Sequence, residues 1–370
     1  MNEELESDTY SVDGQLMMIM PRASASLRNP DVRLPVLRSD INGYYLEMRV
    51  DADPDDPSEV AVTRRIPLDD FSQEEWEELQ QQYNKLDLST CVDVGVTRGL
   101  EKVQDRRVQR LFMALLTFLN PRQVAVVLYL YREASRQGNG RTVNFRSNDL
   151  LTDLGYKRTE KGPYQANLRS QLNRDLVALH RTELVFAQSL AKGDSIGAEL
   201  TVKSVLRIKK VFIDKLPRDF DLAKSADYTH ELADGYTIDL EFFEGPGSDD
   251  ILLANTGIKQ REFANTKRDY RTKLLVYLAS RIKWNGLRNE RHLVVSKPYL
   301  FKNLDLLGSN NPRNNQIFWR TVDELKADGF IFSALELPGK GKSQSIEFQI
   351  CSDKLRLHKS TKSRKKEINP

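Results

Sequence analysis

The sequence predicts an α+β fold, mainly helical, in which two tandem modules each join a helix-turn-helix to a β wing behind a small hairpin-and-helix extension. Three observations predict it. Residues 311–330 (NPRNNQIFWRTVDELKADGF) read as one capped helix: Asn311 suits the N-cap, Pro312 the first turn, and Gly329 the left-handed stop. At 100° per residue its Phe318, Thr321, Val322 and Leu325 share one side, and Arg313, Gln316 and Arg320 the other. A shorter helix, capped by Ser296 and closed by Gly308, precedes it, and strand-like runs at 331–337 and 345–350 follow around the tip PGKGKSQ. Finally, the same order of parts runs through residues 121–212 and 269–350, although little identity survives between the two.

Taken in order, residues 1–40 are polar and patternless, as expected of a flexible arm, except at Gln15, Leu16, Met17, Met18 and Ile19. A glutamine followed by compact hydrophobes has the form of a linear peptide that docks in an apolar groove. The other reading is an apolar stretch that tucks against the body. Residues 41–100 form an acidic extension: YYLEMRVDA and EVAVTRRIPL read as strands around DPDDPS, and 69–90 as a helix whose Trp76, Leu79 and Tyr83 pack.

The first module is expected over residues 101–215. Two helices break at Asn120-Pro121; then come a strand at 142–145, a helix from Ser147, the loop GYKRTEKG, a helix from Pro163, and hairpin strands at 184–190 and 199–212. Leu168, Leu172, Leu176 and Leu179 make the apolar stripe of the last helix, with Asn167, Ser170, Arg174 and Arg181 opposite. That face suits base readout, phosphate contact or a polar protein interface. Lys157, Arg158 and Lys161 in the preceding loop suit DNA-backbone contact, because a lysine acts as a point charge. Residues 216–268 read as a connector that carries a strand at IDLEFF and a loop at EGPGSDD, 269–352 as the second module, and 353–370 as a basic disordered tail.

Charge separates along the chain. Residues 1–100 hold 9 Lys+Arg against 21 Asp+Glu, and residues 101–370 hold 47 against 32, so −12 is followed by +15. A basic body fits a polyanionic partner, since each phosphate contact releases counterions. In the second module Arg313, Gln316 and Arg320 carry planar donors suited to base edges in a major groove, and Lys340 and Lys342 at the wing tip suit phosphates. Cys91 and Cys351 are too far apart in sequence to suggest a disulfide framework or metal site, which fits a reducing cytoplasm. No run reaches membrane-spanning length, and none has the form of a signal peptide.

An enzyme is not expected. No glycine-rich phosphate loop ends in Lys-Ser or Lys-Thr, and His180, His230, His292 and His358 are scattered rather than paired for a metal. Tyr156, Tyr164 and Tyr270 lie near basic residues but lack the Arg/His cluster that tyrosine-based strand transfer needs. No cofactor and no metal is expected.

The residues resemble a family. Gly162, Tyr164, Leu168, Leu172 and Thr182, together with Leu307-Gly308-Ser309, Phe318-Trp319, Asp323-Glu324-Leu325 and Gly329-Phe330-Ile331, look like iteron-binding plasmid replication initiators over residues 100–350. That resemblance implies tandem winged-helix domains that bind repeated double-stranded DNA sites at an origin, help open it, and recruit a host initiator and replicative helicase in the bacterial cytoplasm. It also implies a homodimer in some states, self-repression, and a sliding-clamp peptide of the Gln-Leu-x-Leu-Phe kind. Gln15 and Leu16 match that peptide, whereas Met18 and Ile19 depart from it. A winged-helix transcriptional regulator or a protein-interaction scaffold are the alternatives.

Overall fold

The computed structural model describes residues 9–41, 43–53, 60–69, 71–84, 106–160, 162, 164–192, 195–215, 233–242, 250–254, 270–284, 292–306, 308, 311–339 and 344–357. The fold is α+β. Its first elements are β1 (Thr9–Val12), α1 (Gly14–Ala23), β2 (Val36–Asp40), β3 (Gly43–Val50), β4 (Val62–Pro67), α2 (Gln73–Asn84) and α3 (Arg106–Leu116). Next come α4 (Pro121–Gln137), β5 (Thr142–Arg146), α5 (Ser147–Asp153), α6 (Ala166–Arg181), β6 (Glu183–Lys192), β7 (Ser195–Ser204), β8 (Leu206–Phe212), β9 (Gly235–Leu240) and β10 (Ile251–Ala254). The last are α7 (Tyr270–Trp284), β11 (His292–Ser296), α8 (Lys297–Asn303), α9 (Pro312–Ala327), β12 (Ile331–Leu337), β13 (Ser345–Ile350) and β14 (Leu355–Leu357).

Two compact units emerge. Residues 1–21, 120–180 and 205–370 form one, and residues 22–119 and 181–204 the other. The charge asymmetry follows this division: the first unit holds 40 Lys+Arg against 32 Asp+Glu, the second 16 against 21.

In the first unit the same path is traced twice. Helix, strand, helix, helix, strand, strand runs as α4-β5-α5-α6-β8-β9 and again as α7-β11-α8-α9-β12-β13, with sheet orders β5-β9-β8 and β11-β13-β12. Local chemistry repeats with the path. The Gly155 N–H donates to the Thr152 carbonyl and the Tyr156 N–H to that of Leu151, closing α5; the Asp305 and Leu306 N–H groups close α8 on Lys302 and Phe301 in the same way. Gly155 takes the left-handed conformation without penalty, at φ 80°. Asp305 occupies the same place at φ 56°, and its carboxylate pairs with Lys273.

Helix α4 begins as its sequence suggests, with Asn120 accepting from the Arg122 and Gln123 backbone and Gln123 accepting in return from the Asn120 N–H. It packs against α7 and β1.

The wing of the first module differs from the expectation. Residues 183–204 form the β6–β7 hairpin of the other unit, where β4 pairs with β6 in a five-stranded sheet of order β2-β3-β4-β6-β7. The module's own closing strands are β8 and β9, so residues 235–240, expected in the connector, complete its sheet. Strand β10, also expected there, lies between β1 and β14 in a three-stranded sheet.

That sheet corrects both ends of the chain. Residues 9–12 are not a flexible arm but pair with 251–254, and 355–357 of the expected disordered tail pair with the same strand. Helix α1 corrects the linear-peptide reading of residues 15–19. Leu16, Met17, Ile19 and Met20 are buried, with Leu16 at 0% exposure, so the apolar side chains are core rather than groove ligands. The consecutive hydrophobes face inward on several sides, which removes the helical period from the text.

In the second unit the core gathers Leu46, Met48, Ile66, Leu68, Trp76, Leu79, Phe112 and Leu115. Trp76 stacks on Tyr44 at 4.5 Å between centroids, and Tyr83 on Phe112 at 5.8 Å, so the stripe of α2 packs. Arg64, wholly buried, donates to the carbonyls of Leu115 and Ala25, which fixes β4 to the segments on either side of it in sequence. Among the described residues, no single helix is long and apolar enough to cross a membrane.

Candidate nucleic-acid interface

Helix α9 owes its start to Asn311, whose side chain accepts from the Arg313 N–H at 2.9 Å, and to Pro312 in the first turn. It ends where the Gly329 N–H donates to the Lys326 carbonyl and the Phe330 N–H to that of Leu325, with Gly329 at φ 76°. Between these ends the faces divide by chemistry. Phe318, Thr321, Val322 and Leu325 are buried, whereas Arg313, Gln316 and Arg320 are exposed along one stripe. Phe318 lies 5.1 Å from Phe301 of α8 between ring centroids and 6.5 Å from Phe348 of β13. This anchors the helix over the sheet and leaves its donor-rich face to solvent. Asp323 continues that face at 72% exposure, 3.6 Å from Lys326.

Helix α6 presents the corresponding face of the first module. Leu172, Leu176 and Leu179 are buried and Leu168 is half-buried; Asn167, Arg174 and Arg181 are exposed and Ser170 is half-buried. Both α6 and α9 span 16 residues. Aligned at their first residues, the buried Leu172, Leu176 and Leu179 fall on Phe318, Val322 and Leu325. The same alignment sets Asn167 on Arg313, Ser170 on Gln316 and Arg174 on Arg320.

Three residues of α6 outside its predicted outward face hold it in place. Buried Asp175 accepts from Arg122 of α4 at 2.5 and 2.8 Å and from the Gln123 side chain at 3.3 Å. Burial pushes the Asp175 carboxyl above its usual range, with the Arg122 and Gln123 donors opposing that rise. Buried Asn173 accepts from the Tyr236 hydroxyl of β9 at 2.7 Å. Arg169 donates to the Ala233 carbonyl at 3.0 Å and pairs with Asp234. Burial raises the Asp234 carboxyl, but the Asp214 N–H and the Arg169 guanidinium outweigh it and hold it below the usual carboxylate range. The signal in the sequence was the polar interruption of a leucine stripe at Asn173 and Asp175.

In the loop before α6, Lys157 and Arg158 are exposed, with the Arg158 guanidinium 5.5 Å from the Tyr164 ring centre, while Lys161 lies outside the described residues. Lys340 and Lys342, expected at a wing tip, lie outside them too. Tyr156 and Tyr164 are buried, in keeping with core roles. Among the described residues no group of His, Cys, Asp and Glu is placed to hold a metal. Cys351 is a buried free thiol, and Cys91 lies outside the described residues.

The outer faces of the two small sheets differ. On β8 Arg207, Lys209 and Lys210 are exposed, with Arg207 3.2 Å from Glu241 and Lys209 3.2 Å from Asp239. On β11 and β12 the exposed residues include Val294, Phe332 and Leu335, and Val294 and Leu335 flank Glu347 in register.

No family model matches the chain, and no curated protein does. Among solved structures the likeness is distant. A crystal structure of RctB domains 2–3 aligns with a TM-score of 0.39 and 12% identity, covering 90% of this chain and 97% of that one. A structure of selenomethionine derivatives of domains 2 and 3 of RctB aligns with a TM-score of 0.40 and 10% identity, covering 92% and 98%. Likeness at this distance carries no argument about this chain's activity.

Proposed function

We propose that the chain is a sequence-specific double-stranded DNA-binding protein with two winged-helix modules, acting without enzymatic chemistry as a plasmid replication initiator in the bacterial cytoplasm. The observation that carries the DNA reading is the exposed stripe of Arg313, Gln316 and Arg320 on α9, opposite a fully buried face and beside a two-stranded hairpin. Guanidinium and amide groups make bidentate contacts with guanine and adenine edges, and a helix held over a small sheet fits the major groove. The net-basic unit that bears both helices supplies sequence-independent attraction to phosphate. The initiator role rests on the family resemblance: binding repeated origin sites, opening the origin, and recruiting a host initiator and replicative helicase. With Leu16 and Ile19 buried, and Gln15 and Met18 half-buried, the peptide at residues 15–19 gives no support to sliding-clamp docking.

Arg320→Ala tests the readout. It should cut discrimination between the cognate site and scrambled duplex by about tenfold or more, whereas Lys342→Ala should weaken both equally and reduce the salt slope by about one. Unchanged specificity in Arg320→Ala would refute the placement of α9 in the groove.

A protein-interaction scaffold is the second reading. The exposed Val294, Phe332 and Leu335 on the second module's sheet favour it, as does the acidic Asp323 beside the proposed reading face.

A further inference from the structure

We propose that both 16-residue helices read bases and that they read different ones: α9 two guanines and an adenine through Arg313, Arg320 and Gln316, and α6 an adenine and a guanine through Asn167 and Arg174. This rests on the DNA-binding reading above and assigns the first module a role in readout that the sequence left open.

The argument starts from the core. Buried residues at three shared positions, Leu172/Phe318, Leu176/Val322 and Leu179/Leu325, set the rotation of each helix about its axis. Equal rotation sends equal positions outward: 167 and 174 are exposed as 313 and 320 are, and half-buried Ser170 stands where Gln316 is exposed. Of the arginines in this part of α6, Arg169 is committed to Asp234 and the Ala233 carbonyl, which removes it from any reading face. Arg174 is exposed, and its Nε donates only a long bond of 3.4 Å to the Ser170 carbonyl in its own helix.

Side-chain chemistry then separates the two sets. An arginine stands at the third position of both, and its paired donors match the O6 and N7 acceptors of guanine. At the first position Asn167 offers one donor and one acceptor, the complement of the adenine N6 and N7 edge, whereas Arg313 again offers donors alone. At the second position Gln316 reaches out with an adenine-matching amide, while Ser170 is short, half-buried and accepts or donates to any base. The DNA site is therefore made of two related but unequal elements that share one guanine.

Selection of bound duplexes from a randomised library with the full-length protein tests this. Wild type should enrich two base clusters with a guanine in common. The double substitution R313N/Q316S gives α9 the α6 set, because Arg320 already matches Arg174; it should convert one cluster to the other, with about a tenfold change in preference at the altered bases. Asn167→Ala should relax the adenine of the second cluster alone. All three substituted side chains lie on the solvent side of their helices, and an unchanged melting temperature verifies the fold. If R313N/Q316S leaves both clusters intact, α9 does not read these bases, and if Asn167→Ala changes nothing, α6 serves as a phosphate or protein contact; either result overturns the proposal. If wild type enriches no sequence at all, the DNA-binding reading fails and carries this proposal with it.

Discussion

Substituting Asp175 by alanine tests how the first module holds its outward helix. The carboxylate is buried and accepts two hydrogen bonds from Arg122 and one from Gln123, tying α6 to the first turn of α4. Removing one partner of a buried, hydrogen-bonded ion pair costs about 3–5 kcal/mol, because the other charge is stranded. Arg122 retains 22% of its side-chain exposure and can regain some water, which sets the expected cost near the lower end, about 3 kcal/mol. For a unit of this size that lowers the melting temperature by roughly 6–12 °C. Thermal unfolding followed by circular dichroism at neutral pH measures it. The double substitution Arg122→Met with Asp175→Leu should recover much of the loss, since no charge is left without its partner. A single-variant shift below about 2 °C, or a double variant no more stable than Asp175→Ala, would refute the stranded-charge account.

Two further outcomes are expected. Leu16→Ala should destabilise the protein by about 2–5 kcal/mol, as for any fully buried leucine, and an unmoved unfolding transition would return residues 15–19 to the surface. Asp234, whose folded pKa is depressed, contributes stability that is present above the ordinary carboxylate pKa of about 3.9 and is lost as pH falls through the folded value. Wild type should therefore lose more stability on acidification than Asp234→Asn, and parallel acid limbs in the two proteins would contradict this.

The parts of the fold legible in the sequence are those set by local chemistry. Helix α9 announces itself through Asn311, Pro312, the inward Phe318, Val322 and Leu325, and Gly329, all within a single stretch of chain. The repeated order was legible for the same reason up to the last helix of each copy, since strands β5 and β11 and helices α5 and α8 recur with the same lengths at Thr142 and His292 and at Ser147 and Lys297.

What depends on long-range pairing was not legible. A hairpin such as β6–β7 has the same alternation whether it joins its own module's sheet or another, and only the pairing of Val62 with Phe186 and Thr63 with Val185 decides. The strand at IDLEFF was legible, but its membership of the first module's sheet was not, because its partner β8 is separated from it by residues 213–234. The short strands β1, β10 and β14 are each too brief to carry a pattern of their own. At the candidate interface the outward residues follow from helical period, whereas the positioning by Arg169, Asn173 and Asp175 depends on groups far along the chain, Asp234, Tyr236 and Arg122.

The most direct measurement of the central claim is a titration of the purified full-length protein against duplex DNA flanking its own gene, with scrambled duplex as competitor, at several salt concentrations. Sequence-specific recognition predicts a footprinted, repeated site bound about a thousandfold tighter than the competitor. Weak binding that vanishes with salt and leaves no footprint would contradict it, reducing the basic unit to a nonspecific surface and favouring a protein partner.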